Sequence, residues 1–172
     1  VHSIKNEPMP YVTYKKAVGK NAEVVKTDLT NKEGDNKTYT LELKEDADYT
    51  DFAITASDIV NNASVENNAH KVSDLKIRID TTAPKITPKN FKDKQKLNPK
   101  QKFIQIKVTD NLAGIKNVNA YLNDKWHLME YDGKSSTIFC PASEIPKGEN
   151  KLKIVATDEK NNKATTTFTI VK

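Results

Sequence analysis

The chain has 172 residues, 36% hydrophobic and 30% charged, with a formal net charge of +5, a balance that describes one medium folded domain or two small ones. No run approaches the roughly 18 apolar residues that a membrane span needs, and no charged-then-apolar signal segment follows Val1; without an initiating Met, the chain is expected to be a piece of something longer. Five glycines leave no phosphate-cradling loop, His2, His70 and His127 form no spaced metal motif, and a single Cys leaves no intrachain disulfide, which together argue against most enzymes.

In chain order, the pattern is one of short strands. Tyr39, Leu41 and Leu43 alternate with Thr40, Glu42 and Lys44, which predicts a half-buried strand. Phe52, Ile54 and Ala56 predict a second strand with one apolar face, and Leu75, Ile77 and Ile79 a closing one. In the second half the same alternation runs through Ile104, Ile106 and Val108, then Val118, Ala120 and Leu122, then Leu152, Ile154 and Ala156, and finally Ala164, Thr166, Phe168 and Ile170. Turn-forming clusters over residues 31–36, 110–114, 131–133 and 145–148 punctuate these runs. No long segment keeps a helical period, so antiparallel sandwiches are predicted.

Two stretches are copies of one pattern. Phe52-Ala-Ile-Thr-Ala-Ser-Asp-Ile-Val-Asn-Asn62 aligns with Leu152-Lys-Ile-Val-Ala-Thr-Asp-Glu-Lys-Asn-Asn162 at an offset of 100 residues, too long a period for a solenoid, whose units run about 20–50. Between the copies lies Ile79-Asp-Thr-Thr-Ala-Pro84, where Pro84 fixes its own φ and holds Ala83 extended. The expected fold class is therefore all-β: two tandem immunoglobulin-like antiparallel β-sandwiches, residues 1–82 and 83–172, joined by a short stiff linker.

The succession of strand, Ala-Ser/Thr-Asp-x-x-Asn-Asn, strand and Ile-Asp-Thr-Thr-Ala-Pro resembles the bacterial immunoglobulin-like domains strung in tandem in secreted and cell-wall-anchored surface proteins. In that family the turn usually carries Gly where Asn61 and Asn161 stand here, a mild departure because Asn tolerates the left-handed conformation. The segment Asp110-Asn-Leu-Ala-Gly-Ile115, followed by residues 123–132, is similar to Ig-like domains appended to cell-wall peptidases. The resemblance implies a place outside the cell and a non-catalytic role beside a larger functional region. Lys- and Asn-rich, Arg-poor usage suits a low-GC Gram-positive bacterium.

Charge is unevenly spread. Residues 1–82 hold 11 basic against 14 acidic side chains and residues 83–172 hold 17 against 9. Between Lys85 and Lys107 eight lysines face only Asp93. With Arg78 the single arginine, no bidentate fork is present to read bases or clamp phosphate, so a solvated, edge-protecting lysine face is expected rather than a nucleic-acid surface. Weak, salt-sensitive attraction to anionic wall polymers is expected of this half.

Individual residues each carry a sharp reading and a bland one. Asp58 and Asp158 head their turns and invite comparison with calcium ligands at a domain junction, but a single Asp per copy is better read, with Asn61 and Asn161, as a structural turn residue accepting backbone N–H bonds; no metal and no cofactor is assigned. Tyr49 is placed to bond back to the chain as a tyrosine corner. Trp126, Tyr121 and Tyr131 are the one aromatic group suited to stacking on a sugar, against the expectation that a sandwich buries its lone Trp. Trp126, Leu128 and Glu130 are assigned to one strand face, and His127, Met129 and Tyr131 to the other. Cys140 is expected to be a buried hydrophobe. Bacterial surface Ig-like domains also resemble pilin modules in which a buried Lys joins an Asn side chain beside an acidic residue, and the sequence holds Lys and Asn enough for such an isopeptide bond.

The functional expectation is a non-catalytic spacer or adhesion region of an exported bacterial multidomain surface protein. A carbohydrate- or matrix-protein-binding module, and accessory domains of a secreted hydrolase whose catalytic domain lies elsewhere, are the alternatives. Expected partners are host or cell-wall glycans or matrix proteins, with no nucleic acid, no membrane insertion and a monomeric state.

Overall fold

A computed structural model describes residues 10–31, 39–55, 70–72 and 74–172. The chain divides into two compact units, Val1–Asp80 and Thr81–Lys172. Among the described residues every regular element is a strand except for a single 3-10 turn, and no helix is long and apolar enough to cross a membrane. Asp58 and Asn61, the turn pair of the first copy, lie outside the described residues.

In the first unit, β1 (Tyr11–Val18) and β2 (Asn21–Asp28) form a hairpin in which Val18 pairs with Asn21 across a two-residue loop. Gly19 opens that loop at φ 59, the left-handed position that a two-residue hairpin turn of this kind reserves for glycine. The strands β3 (Thr30–Asn31) and β4 (Tyr39–Thr40) form a small separate pair. Then β5 (Ala47–Thr55) becomes the spine of the main sheet, in the order β2-β1-β5-β6, with β6 (His70–Lys71) and β7 (Ile77–Ile79) both pairing with β5. The core gathers Val12, Tyr14, Leu29, Ala47, Tyr49 and Phe52.

Two expectations change here. The strand predicted through Leu41 and Leu43 ends at Thr40; both leucines still pack, half-buried, against the core. Ile54 is 39% exposed although it was expected to share an inner face with Phe52. The register sets Ile54 on the inner side, opposite the buried Val12, so it is an inner-face residue left exposed near the end of β5; a bulge lies earlier, where the β1–β5 register shifts between Thr13 and Lys15, opposite Asp51, whose φ is 55. One extra residue shifts the alternation, so Ala47 and Tyr49 are buried before the bulge and Phe52 after it.

In the second unit the elements are β8 (Lys85–Pro88), β9 (Phe103–Thr109), β10 (Ile115–Leu122), β11 (Lys125–His127), β12 (Glu130–Asp132), β13 (Thr137–Pro141), the 3-10 turn Ala142–Glu144, β14 (Glu149–Asp158) and β15 (Lys163–Val171). They form two four-stranded antiparallel sheets, ordered β12-β13-β9-β8 and β11-β10-β14-β15. Lettered in chain order as A, B, C, C′, D, E, F and G, the first sheet reads D-E-B-A and the second C′-C-F-G, the strand arrangement of an immunoglobulin-like sandwich.

Alternation along β9, β14 and β15 builds this core. Ile104, Ile106 and Val108 of β9, Leu152, Ile154 and Ala156 of β14, and Phe168 and Ile170 of β15 are all buried between the sheets. Truncating one of the larger of these to Ala costs about 2–5 kcal/mol through lost transfer energy and the void left behind. After β8 the chain crosses from one sheet edge to the other. Lys96 bridges Val171 in the parallel sense and the Leu97 N–H donates to the Val171 carbonyl at 2.8 Å. The crossing segment is the lysine run, and its single acid is structural: Asp93 Oδ1 accepts the Thr169 N–H at 2.6 Å.

Candidate functional site

Trp126 sits on β11, the outermost strand of its sheet, joined to β10 by a two-residue turn in which Asn123 (φ 50) and Asp124 (φ 65) are both left-handed. Asn and Asp tolerate that conformation through local hydrogen bonding, so the hairpin closes tightly. Its register puts Tyr121 opposite Trp126, while Tyr121 also pairs with Lys153 on β14. The Lys153 ammonium lies 4.7 Å from the Tyr121 ring centroid. An indole, a phenol and an ammonium thus form one row across the outer face of the sheet.

The expectation that the lone Trp is buried is not met: Trp126 is 62% exposed and Leu128 is exposed beyond it. The physical reason is position, since Trp126 lies on the outer face of an edge strand three residues long. Tyr131 belongs by register to the inner face, opposite Ile138, but β12 is itself an edge strand and the ring stands 48% exposed. The chain changes sheets between β11 and β12, and at that crossing Trp126 and Tyr131 line a common cleft of about 130 Å³ with His127, Met129 and Ile138. The structure therefore brings Trp126 to Tyr121 by pairing and to Tyr131 by the cleft. Tyr121 is the half-buried member.

His127 is half-buried rather than solvated. Its Nε2 lies 3.4 Å from Glu144 Oε2, a pair that is ionic only when the imidazole is protonated. Cys140 is buried as expected, and burial, helped by the Glu144 charge, pushes its thiol up to about 11. No lysine among the described residues is buried, which leaves the isopeptide reading without a donor there.

The turn residues of the second copy lie at the end of β14. Asp158 closes β14 with Oδ1 accepting the N–H groups of Lys160 and Asn162, each at 2.8 Å, and Oδ2 accepting the Asn162 Nδ2 amide at 2.8 Å. Asn161 adopts φ 69, the left-handed position. The turn after β9 is built the same way, with Asp110 Oδ1 accepting from Leu112 N (3.0 Å) and Gly114 N (3.1 Å). The two turns are neighbours, joined by the Glu159 N–H to the Gly114 carbonyl at 3.1 Å. Carboxylate oxygens of Asp110 and Asp158 lie within 4.8 Å of each other. Sequence reasoning singled out Asp158 and not Asp110, because no local spacing links the two positions.

The eight lysines of the run between Lys85 and Lys107 are exposed. Lys96 and Lys102 flank an open cleft of about 620 Å³ floored by Leu97, Pro99 and Ala142. Lys172 also lines it, with its ammonium held by the carbonyls of Ala142 (2.9 Å), Ser143 (3.2 Å) and Ile145 (2.6 Å).

No protein-family model matches the chain, and no curated protein matches it. Among solved structures, it is similar to the fibronectin(III)-like modules of Clostridium thermocellum CbhA, at 12% identity and a TM-score of 0.40, over 99% of this chain and 82% of that one.

Proposed function

We propose that the chain is a pair of tandem immunoglobulin-like sandwiches from an exported bacterial surface protein, a non-catalytic region whose second sandwich recognises carbohydrate through Trp126, Tyr131 and Tyr121. The observation that carries this reading is the exposure of Trp126, 62%, on the rim of a cleft that it shares with Tyr131. An apolar side chain of this size left in water forgoes roughly 2–3 kcal/mol of burial free energy, and a flat indole face beside polar edges suits the apolar face of a sugar ring. The cleft is too small to enclose a ligand, since enclosing pockets run from about 300 Å³ upward. Recognition is therefore by stacking on the rim, with the Lys153 ammonium and the tyrosine hydroxyls as polar neighbours.

The test is equilibrium binding of the 172-residue chain to an array of host and cell-wall glycans at low and high salt. Saturable, salt-resistant binding that is lost in Trp126→Ala and retained in Phe103→Ala, which alters another exposed ring, bears the reading out. Binding to no glycan at any salt overturns it.

A second reading is favoured by the lysine crossing. Eight lysines facing one acid, with Lys96 and Lys102 at the mouth of a 620 Å³ cleft, suit a polyanionic wall polymer. This binding would weaken steeply between low and high salt and would be indifferent to Trp126.

A further inference from the structure

We infer that the glycan recognised at Trp126 is an acidic one, whose carboxylate is taken by the Lys153 ammonium while a sugar ring lies on the indole. The inference rests on the carbohydrate reading above and names the class of sugar. Its residues all belong to the second unit, on the outer face of the sheet β11-β10-β14-β15.

Register fixes what that face presents. Leu152, Ile154 and Ala156 of β14 are buried, so Lys151, Lys153 and Val155 point the other way. Pairing then sets Trp126, Tyr121, Lys153 and Thr167 side by side across the four strands. The rows on either side of this one, through Lys151 and through Val155, carry asparagine, threonine and valine beside them and no acid. The one acid at an outward position of β14 is Glu149, the first residue of the strand, beyond Lys151. The charge that this part of the face offers a ligand is therefore positive.

Lys153 is half-buried, and its ammonium stands 4.7 Å from the Tyr121 ring centroid. Among the described residues no carboxylate forms an ion pair with it. A ring quadrupole holds an ammonium in place without neutralising it, so the charge is kept for an anion. Trp126 lies two strands away, roughly 10 Å at the usual spacing of about 4.8 Å between strands, and the long lysine side chain shortens the gap. A sugar acid carries both features in one molecule: an apolar ring face for the indole and a carboxylate on the edge of the ring for the ammonium. A neutral sugar uses only the first.

The experiment measures equilibrium binding of the 172-residue chain to three carboxylate-bearing probes at low salt: oligogalacturonate, a hyaluronan oligosaccharide and sialyllactose. Each is compared with its own methyl ester, which keeps every ring and removes only the charge. At least one acid is expected to bind about fivefold more tightly than its ester, the size of one exposed ion pair. Raising the salt is expected to shrink that preference and leave the binding of the ester unchanged. Lys153→Met keeps an unbranched apolar stem beside Tyr121 and is expected to bring the acid down to the affinity of the ester; retained ester binding shows that the face is intact. Trp126→Ala is expected to abolish binding of both, and Lys134→Met, on the turn after β12, to bind like the parent. Equal binding of acid and ester by the parent overturns the inference and leaves the carbohydrate reading in place, as does binding of neutral glycans alone. A preference that survives in Lys153→Met overturns the assignment to Lys153. Binding of no probe and of no neutral glycan overturns both readings.

Discussion

The Tyr49 hydroxyl donates a hydrogen bond to the carbonyl oxygen of Glu45, four residues upstream, over 2.8 Å. The ring is buried against Tyr14, centroid to centroid 5.6 Å, so the bond ties the entry of β5 to the first unit's core. Tyr49→Phe keeps the ring and removes the donor, and is expected to lower stability by about 1 kcal/mol in chemical denaturation. Burial is the main cause that raises the Tyr49 ionisation above its ordinary value of 10.0. The neutral hydroxyl is the form the fold favours, so its contribution is fully present below pH 10 and is lost as pH climbs through the raised value. Above pH 10 the parent chain should therefore lose stability faster than Tyr49→Phe.

Cys140 offers a reactivity test. Its thiol is pushed up to about 11 by burial first and by the Glu144 charge second, and the thiolate is the reactive form. A water-soluble alkylating reagent at pH 8 is expected to leave the native chain unmodified, and labelling should appear only in denaturant. Rapid labelling of the native chain would show that the sandwich opens at β13.

The second unit's sheets were legible in the sequence because the period of two runs unbroken along β9 and β14. Leu152, Ile154 and Ala156 alternate from end to end of β14, and all three are buried. In the first copy the strand carries a bulge at Asp51, between the buried Tyr49 and the buried Phe52, whose only sequence trace is a residue type that tolerates positive φ. A bulge is one residue against the pattern of its neighbours, and alternation alone does not reveal it.

The candidate sites were legible to different degrees for a similar reason. Trp126, Tyr121 and Tyr131 stand close enough in the chain for residue type to suggest a group, but whether Trp126 faces solvent depends on β11 being an edge strand of three residues. Asp158 and Asn161 announce a turn through residue type, and the turn forms. The carboxylate of Asp110 reaches Asp158 only through the fold, from another segment of the second unit.

Asp132 gives a local pH prediction. The Ser135 hydroxyl first, then the Lys134 N–H, hold its carboxyl below the ordinary 3.8. A lowered carboxyl supports the fold above the ordinary value and loses that support as pH falls through the lowered one. An NMR titration is expected to place the Asp132 midpoint below 3.8, and Ser135→Ala should move it upward. A midpoint unaffected by Ser135→Ala would show that the 2.6 Å bond from Ser135 Oγ to Asp132 Oδ2 is not kept in solution.

Asn161 tests how the second hairpin is held. Its φ of 69 is a conformation that a β-branched residue adopts only at a cost, while glycine takes it freely. The backbone turn is closed by the Asn161 N–H to the Asp158 carbonyl at 3.1 Å, and the side chain adds a bond from Lys116 Nζ to its Oδ1 at 2.9 Å. Asn161→Gly removes that outer bond, which joins two exposed side chains, and keeps the conformation, so its stability is expected to stay within about 0.5 kcal/mol of the parent. Asn161→Val keeps a side chain but opposes the conformation, and is expected to cost about 1–2 kcal/mol. Denaturation midpoints of the two variants separate the causes: a larger loss in Asn161→Gly would mean that the Lys116 bond holds the turn, and a larger loss in Asn161→Val that the left-handed backbone does.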